Sequence, residues 1–447
     1  MWNKTLKTQN HLLGFVFFLL TNLKITFKIC YNKTIIKRKD IRKLIKVFEA
    51  FAGIGTQRMA LKRQNIPHEV VAISEVDEYA ILSYHSIHTS NIEVGEVSEE
   101  EMQRYMEEKN IPLDAKGNRK KLTGKRLKNL YKASVASGNL GDISKINPDI
   151  LPEIDFFTYS FPCQSISTAG KKEGLVKGSG TKSSLLWDCE KIIETSRPKY
   201  LLMENVKPLV QTRNRPHFEK WLKYLEDLDY TSFFKVLNAK DYNIPQNRER
   251  VFVVSILNYK GEYKFPEEVE LTKTLKSILE KDIDLSYYIG KTRLDKIVYD
   301  KLNLKNRETE ETKELLKKTQ KEQQEFYKEQ PIDNYTFLGT INSTETVKFM
   351  RRPYPNISRT LRAGSTDTAL VYECKEESKA PYIIRRFTPL ERWRLMGISD
   401  EDFNKAKQVV TNTQLCRQAG NAIVVDVLEG IFTVSYTHLT LPTTPYV

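Results

Sequence analysis

Cysteine is scarce in this chain. Five occur in 447 residues (Cys30, Cys163, Cys189, Cys374 and Cys416), and none belongs to a C-x-x-C pair. The six histidines are scattered, so no zinc ligand set can be assembled, and free thiols in a reducing cytosol fit best. No G-x-x-x-x-G-K-[ST] occurs, which argues against a P-loop phosphate cradle. Long apolar runs are lacking as well. The stretch Leu12–Leu20 follows Lys4 and Lys7 like a short signal h-region, yet it is too short to span a bilayer. No small-residue cleavage site comes after it. Instead Lys24, Lys28, Lys33, Lys37, Arg38 and Lys39 follow, so residues 1–44 read as an N-terminal extension for which a misassigned start is favoured over a true membrane anchor. What is plentiful is positive charge. A net charge of +14 favours a polyanionic partner without identifying it.

The chain is long enough for a large catalytic domain and a smaller second one. Ile45–Phe51 reads as a buried strand running into Ala52-Gly53-Ile54-Gly55-Thr56 and then a helix. Val70–Ser74 is a second strand ending at Glu75, with a helix from Asp77 to His85 behind it. Strand 154–159, helix 185–195, strand 200–203, helix 218–228 and strands 232–237 and 250–255 follow. This alternation predicts an α/β fold with a parallel-dominated sheet. Two regions break it. Residues 96–136 form a charged insertion with Arg119-Lys120-Lys121 and Lys125-Arg126, read as a solvated helix or a basic face toward nucleic acid. From about 257 to 380 the chain is irregular and rich in Arg and Tyr, as in a separate smaller domain. Helices at 389–396 and 422–432 return it to the first domain, 45–256 and 381–433. The tail 434–447 resembles the translation of a sequencing-library adapter and is expected to contribute nothing to fold or activity. No internal repeats occur.

Cys163 follows strand 154–159 in Ser160-Phe161-Pro162-Cys163-Gln164-Ser165, and Glu204-Asn205-Val206 ends the next strand. Both therefore belong to the edge where open α/β sheets keep their sites. A thiolate is the attacking form, and a polar loop with cationic neighbours favours it. A buried structural Cys beside an ordinary Glu is the bland alternative. Gly53-Ile54-Gly55 makes a tight turn that lets backbone approach a ligand, and Glu75 is placed to accept bonds from ribose hydroxyls. A helix-capping role for Glu75 stands beside that reading. Gly170, Gly174, Gly178 and Gly180, mixed with Lys171, Lys172, Lys177 and Lys182, suit a closing loop whose lysines meet phosphates.

In order, Phe51-Ala52-Gly53-Ile54-Gly55, Phe161-Pro162-Cys163-Gln164-Ser165, Glu204-Asn205-Val206, Gln246-Asn247-Arg248-Glu249-Arg250 and Gly420-Asn421-Ala422 resemble the signature motifs of the DNA (cytosine-5) methyltransferases. The resemblance runs from about 46 to 432, apart from the insertion and the irregular domain. It implies a Rossmann-like S-adenosylmethionine-dependent fold with a target recognition domain over 257–380. The cofactor would meet Phe51, Ala52, Gly53, Ile54 and Gly55, Glu75 and Val76, Asp142 and Ile143 in Gly141-Asp142-Ile143, Pro162, Asn421 and Val424. Cys163 would add to C6 of a flipped cytosine, Glu204 would act at N3, and Arg250 with Arg248 would steady the base or Glu204. For Arg248 a phosphate contact or a structural ion pair is the alternative. Gln164, Ser165, Lys171, Arg351, Arg359 and Arg362 would face DNA, and the stretch 359–364 resembles the motif that buttresses the recognition domain. The implied protein is a cytoplasmic monomer of restriction–modification or phage type, acting on duplex DNA, with a cognate restriction endonuclease as a candidate partner and no membrane or metal requirement. A tRNA methyltransferase on the same scaffold is a rival, opposed by the long Arg/Tyr-rich segment. A non-catalytic relative is another, opposed by intact Cys163, Glu204 and Arg250.

Overall fold

The computed structural model describes residues 44–114, 116–163, 166, 175–281, 283–287, 332–341, 347–355, 357–361, 363, 368–374 and 383–440. For 285, 332–341, 347–355, 359, 368–374, 383–384 and 439–440 only the backbone is described. The first 43 residues and the last seven, 441–447, lie outside that set.

The strands are β1 (Ile45–Ala50), β2 (His68–Ser74), β3 (Phe156–Tyr159), β4 (Tyr200–Val206), β5 (Tyr230–Asn238), β6 (Gln246–Asn247) and β7 (Glu249–Leu257). All but β6 form one six-stranded sheet in the order β2-β1-β3-β4-β7-β5. β1 to β4 run parallel, and β7 is antiparallel to both β4 and β5. The register aligns the carboxyl ends: Ala50 pairs with Ser74 and with Tyr159, and Tyr159 pairs with Met203. Glu75, Phe51, Ser160 and Glu204 therefore leave the sheet side by side. Because β7 runs the other way, its first residues reach the same edge, where Arg250 pairs with Val206.

β1 is apolar on both faces because helices cover both. Ile45 and Val47 belong to one core, with α1 (Thr56–Arg63), and Phe48 and Ala50 to the other, with α5 (Glu190–Ser196) and α6 (Arg215–Asp227). At about 1.5–3 kcal/mol per fully buried large apolar side chain, these two layers dominate the stability of the sheet. The expected helix 185–195 is split: Lys182–Cys189 is 3₁₀ and only Glu190–Ser196 is α-helical.

The insertion folds as α3 (Glu99–Glu108) and α4 (Gly124–Ala136), packed on α2 (Glu78–His88) through Met102, Met106, Leu127, Leu130 and Ile81. Ser98 and Glu101 form a reciprocal capping box that starts α3. Its basic face is partly neutralised: Arg119 pairs with Glu107 and Arg126 with Glu78, while Lys128 and Lys132 share Glu96.

The irregular region does not separate from the first domain at 257. Tyr263, Leu275 and Ile278 are buried in the same core as β1, the last two on the short helix α7 (Leu275–Ile278). A second, four-stranded antiparallel sheet contains β8 (Ile332–Ile341), β9 (Val347–Pro355), β11 (Thr368–Cys374) and β12 (Ile383–Arg386), in the order β12-β11-β8-β9. β12 pairs into this sheet as far as Arg386, beyond the return expected at 381. β10 (Ser358–Arg359) pairs in parallel with β6 and joins the two regions.

Four helices follow: α8 (Pro389–Arg394), α9 (Asp400–Lys407), α10 (Asn412–Asn421) and α11 (Val425–Thr440). The helix expected over 422–432 is broken at its start. Ala422 is extended and presents its carbonyl to Arg248 instead of continuing α10. At its other end α11 passes 433 without interruption. Ser435 is fully buried, its hydroxyl 3.2 Å from that of Tyr263, and the His438 ring lies 5.6 Å from the Tyr263 ring. The apolar face of α11 continues past the boundary expected at 433/434, through Val434 and Tyr436. Among the described residues no single helix is long and apolar enough to cross a membrane.

Candidate active site

The aligned strand ends open into one cleft of about 590 Å³, within the range of small-molecule sites. Its lining includes Phe51, Ala52, Gly53, Ile54, Glu75, Val76, Asp142, Ile143, Pro162 and Asn421 at one end, and Cys163, Glu204, Arg248 and Arg250 at the other. Gly55 and Val424 are absent from that lining. Gly55 has φ 76°, and a Cβ there would collide with His88 and Tyr84, so its smallness lets α2 approach the turn. Val424 is buried in the core beneath the cleft.

At the first end the Glu75 carboxylate is tied to backbone. Gly53 N–H donates to Oε2 at 2.8 Å, and Val76 and Asp77 N–H donate to Oε1 at 2.7 and 2.8 Å. Burial raises the Glu75 pKa and the nearby Asp77 charge adds to this, while those three N–H groups oppose the shift. Asp142 caps a 3₁₀ turn: Oδ1 accepts from Ser144 N–H at 3.0 Å and from its hydroxyl at 2.9 Å, and Oδ2 accepts from Asn110 at 2.7 Å. Where a Cβ on Gly53 would point there is open space. Phe51 holds φ 55°, a left-handed conformation rare for a large side chain, at the mouth of the turn. A backbone-anchored carboxylate, an open glycine and the apolar walls Ile54, Val76 and Ile143 suit an adenosine-bearing ligand, so these residues fit S-adenosylmethionine.

At the other end Arg250 Nε lies 3.2 Å from Glu204 Oε1, both side chains largely buried. Asn205, the next residue, turns back and donates its amide to the Phe161 carbonyl at 3.0 Å. Ser183 donates its hydroxyl to the Pro162 carbonyl at 2.8 Å. These two bonds seat the Pro-Cys loop between β4 and the 3₁₀ turn. Desolvation raises the Cys163 pKa and the Glu204 charge raises it further, with Arg250 and then Arg248 opposing. Burial and the Glu204 charge thus work against the thiolate that a polar loop with cationic neighbours was expected to favour. Glu204 is also raised, by burial, against Arg250 and Arg248, and so it keeps its proton more readily than an ordinary carboxyl.

Arg248 takes a different place from the one expected. Its Nη1 donates to the Leu361 carbonyl at 3.0 Å, and its Nη2 to the Gly420 and Ala422 carbonyls at 3.1 and 2.8 Å. The guanidinium is thus a buried splint between three segments rather than a clamp on Glu204. Gln246 extends the splint, accepting from Leu361 N–H at 3.1 Å and donating to the Leu395 carbonyl at 2.7 Å. Gln164, Ser165, Lys171 and Arg362 lie outside the described residues, as do the side chains of Arg351 and Arg359.

Sequence reasoning passed over Asn205, Ser183, Gln418 and the segment Leu113–Gly117, of which Leu113, Asp114, Lys116 and Gly117 line the cleft. Asn205 had a signal, a polar amide beside Glu204 at the end of an apolar strand. The others had none, because their approach depends on tertiary packing.

The C-5 cytosine-specific DNA methylase family matches residues 119–436. A type II methyltransferase of Lactococcus lactis subsp. cremoris, M2.ScrFI, is 42% identical over 396 residues, covering 87% of this chain and 98% of the relative. The orphan methyltransferase M.SssI of Spiroplasma monobiae is 33% identical over 413 residues, covering 88% and 98%. The crystal structure of S. pombe Dnmt2 methyltransferase shares the fold at 17% identity, with a TM-score of 0.52, covering 89% of this chain and all of that one. Its ordered motifs, aligned strand ends and cleft agree with these likenesses, and the chain belongs to the C-5 cytosine-specific DNA methylase family.

Proposed function

We propose that the protein methylates C5 of a flipped-out cytosine in duplex DNA through a bond between Cys163 Sγ and cytosine C6. The observation that carries this reading is that Cys163, Glu204 and Arg250 share one cleft with Glu75 and Asp142. S-adenosylmethionine, when bound, supplies an electrophilic methyl group on a sulfonium. Cytosine C5 is a poor nucleophile, and the base must leave the stack at a cost of a few kcal/mol. Cys163 gives its thiol proton to water and adds to C6 as the thiolate. The C5–C6 π bond breaks and, as N3 takes up a proton from Glu204, C5 becomes the nucleophilic carbon of an enamine. The raised pKa of Glu204 suits it to hold a proton at N3 as charge develops there, and Arg250 keeps its carboxyl oriented. After methylation the C5 proton leaves to a base, and Cys163 departs from C6 as the thiolate.

Residues 257–380 are proposed to read the target, with Arg351, Arg359 and Arg362 toward the DNA, and with Gln164, Ser165 and Lys171 beside the flipped base. The type II name of one relative supports a restriction–modification setting with a cognate endonuclease. The orphan name of the other favours a solitary enzyme, and endonuclease activity in host extracts decides between them. Action as a cytoplasmic monomer completes the reading, and sedimentation with and without duplex checks the monomer.

A duplex carrying 5-fluorocytosine blocks removal of the C5 substituent. The wild type should form a denaturation-resistant adduct and Cys163→Ala none; an adduct with Cys163→Ala removes the nucleophile assignment. Labelled methyl transfer to duplex DNA and not to tRNA separates this reading from its rival.

A further inference from the structure

The corner between the two helices of the charged insertion lies against the cofactor end of the cleft, not in solvent. Helix α3 stops at Lys109, and Asn110 follows in the left-handed region with φ 52°. Three contacts tie this corner to the wall of the cleft. The Lys109 carbonyl accepts from Asp142 N–H at 3.0 Å. The Asn110 amide donates to Asp142 Oδ2 at 2.7 Å. Leu113 N–H donates to the Val76 carbonyl at 3.0 Å, and Leu113 itself lines the cleft. A Cβ on Gly141 would overlap the Lys109 carbonyl, so the glycine of Gly141-Asp142-Ile143 is where the insertion docks.

We propose that Asn110 is a positioning residue for S-adenosylmethionine, holding the Asp142 carboxylate toward the adenosine, and that Leu113 from the same corner supplies an apolar wall of that pocket. This deepens the cofactor reading of the cleft and rests on it. Asp142 has two carboxylate oxygens and one aim. Ser144 occupies Oδ1, and among the described residues the Asn110 amide is the hydrogen-bond donor to Oδ2, restricting where its remaining lone pair points. The insertion is thus part of the methyl-donor site, and its sequence at this corner sets affinity for the donor.

The cleanest test is Asn110→Gly, because glycine accepts the left-handed backbone without strain while removing the amide. Binding of S-adenosylhomocysteine to the full chain without DNA, read by calorimetry, should weaken roughly tenfold, as expected for a lost hydrogen bond to a charged group. The KM for S-adenosylmethionine should rise by a similar factor, with kcat and duplex affinity unchanged. Leu113→Ala should weaken the same binding several-fold. A role confined to folding would lower the melting temperature and leave the affinity of the folded protein unchanged. Wild-type affinity in both variants overturns the proposal. Failure of the wild type to bind S-adenosylhomocysteine overturns the cofactor reading itself.

Discussion

Burial makes both Cys163 and Glu204 hold their protons more tightly. Each lies in a desolvated pocket, and the Glu204 charge is the second cause of the raised Cys163 pKa. A raised thiol pKa leaves little thiolate at neutral pH, so alkylation of free enzyme should show a midpoint above the usual thiol range of about 8.5. Glu204→Gln removes the facing negative charge and should lower that midpoint. Arg250→Met removes the opposing positive charge and should raise it. Iodoacetamide rates against pH measure both, and identical midpoints in all three proteins would refute the coupling. The two arginines should also separate cleanly. Arg248→Met leaves the Leu361, Gly420 and Ala422 carbonyls without their buried donor and should cost on the order of 3 kcal/mol, seen in denaturant unfolding. Arg250→Met should leave unfolding nearly unchanged while methyl transfer falls by about a hundredfold or more.

Among the elements, β7 is the one whose direction makes the site. A parallel β7 would carry Arg250 to the far edge of the sheet, whereas the antiparallel strand starts beside Val206. α11 matters in a quieter way. Its C-terminal turns cover Tyr263 with Ser435 and His438, and its Phe432 ring packs edge-on against Phe156 of β3. Truncation after Thr433 keeps Phe432 and uncovers Tyr263, which should cost about 2 kcal/mol by the apolar area re-exposed. Thermal melting of the truncated chain checks this, and an unchanged melt would show that the packing of 434–438 contributes nothing.

Over the whole molecule, ion pairs such as Arg119–Glu107, Arg126–Glu78 and Lys207–Glu249 tie up individual cations but leave the net excess of +14 unchanged, because it already subtracts the carboxylates. DNA affinity should nevertheless fall steeply with salt, with a log–log slope of about −5 if five to six phosphates are neutralised. Binding of S-adenosylhomocysteine, held by backbone and carboxylate contacts, should vary far less over the same range. Fluorescence anisotropy of a labelled duplex at several salt concentrations gives the first slope and calorimetry the second. Equal slopes would mean that the basic excess does not face the nucleic acid.

The sequence by itself determined the α/β alternation and the residues of chemistry. Apolar runs such as Tyr200–Met203 announce buried strands, and Pro162-Cys163-Gln164 and Glu204-Asn205-Val206 are local patterns at strand ends. It was silent or misleading wherever a role depends on what comes near from elsewhere. Arg248 reads as a cation beside a carboxylate, yet three distant carbonyls claim it. Cys163 reads as a thiolate among cations, yet burial outweighs them. The insertion reads as a charged helix in water, yet its corner at Asn110 reaches Asp142, 32 residues away. Local propensity and period are written along the chain. Desolvation, strand direction and the meeting of distant carbonyls with a guanidinium exist only once the chain has packed, and tertiary structure decided those.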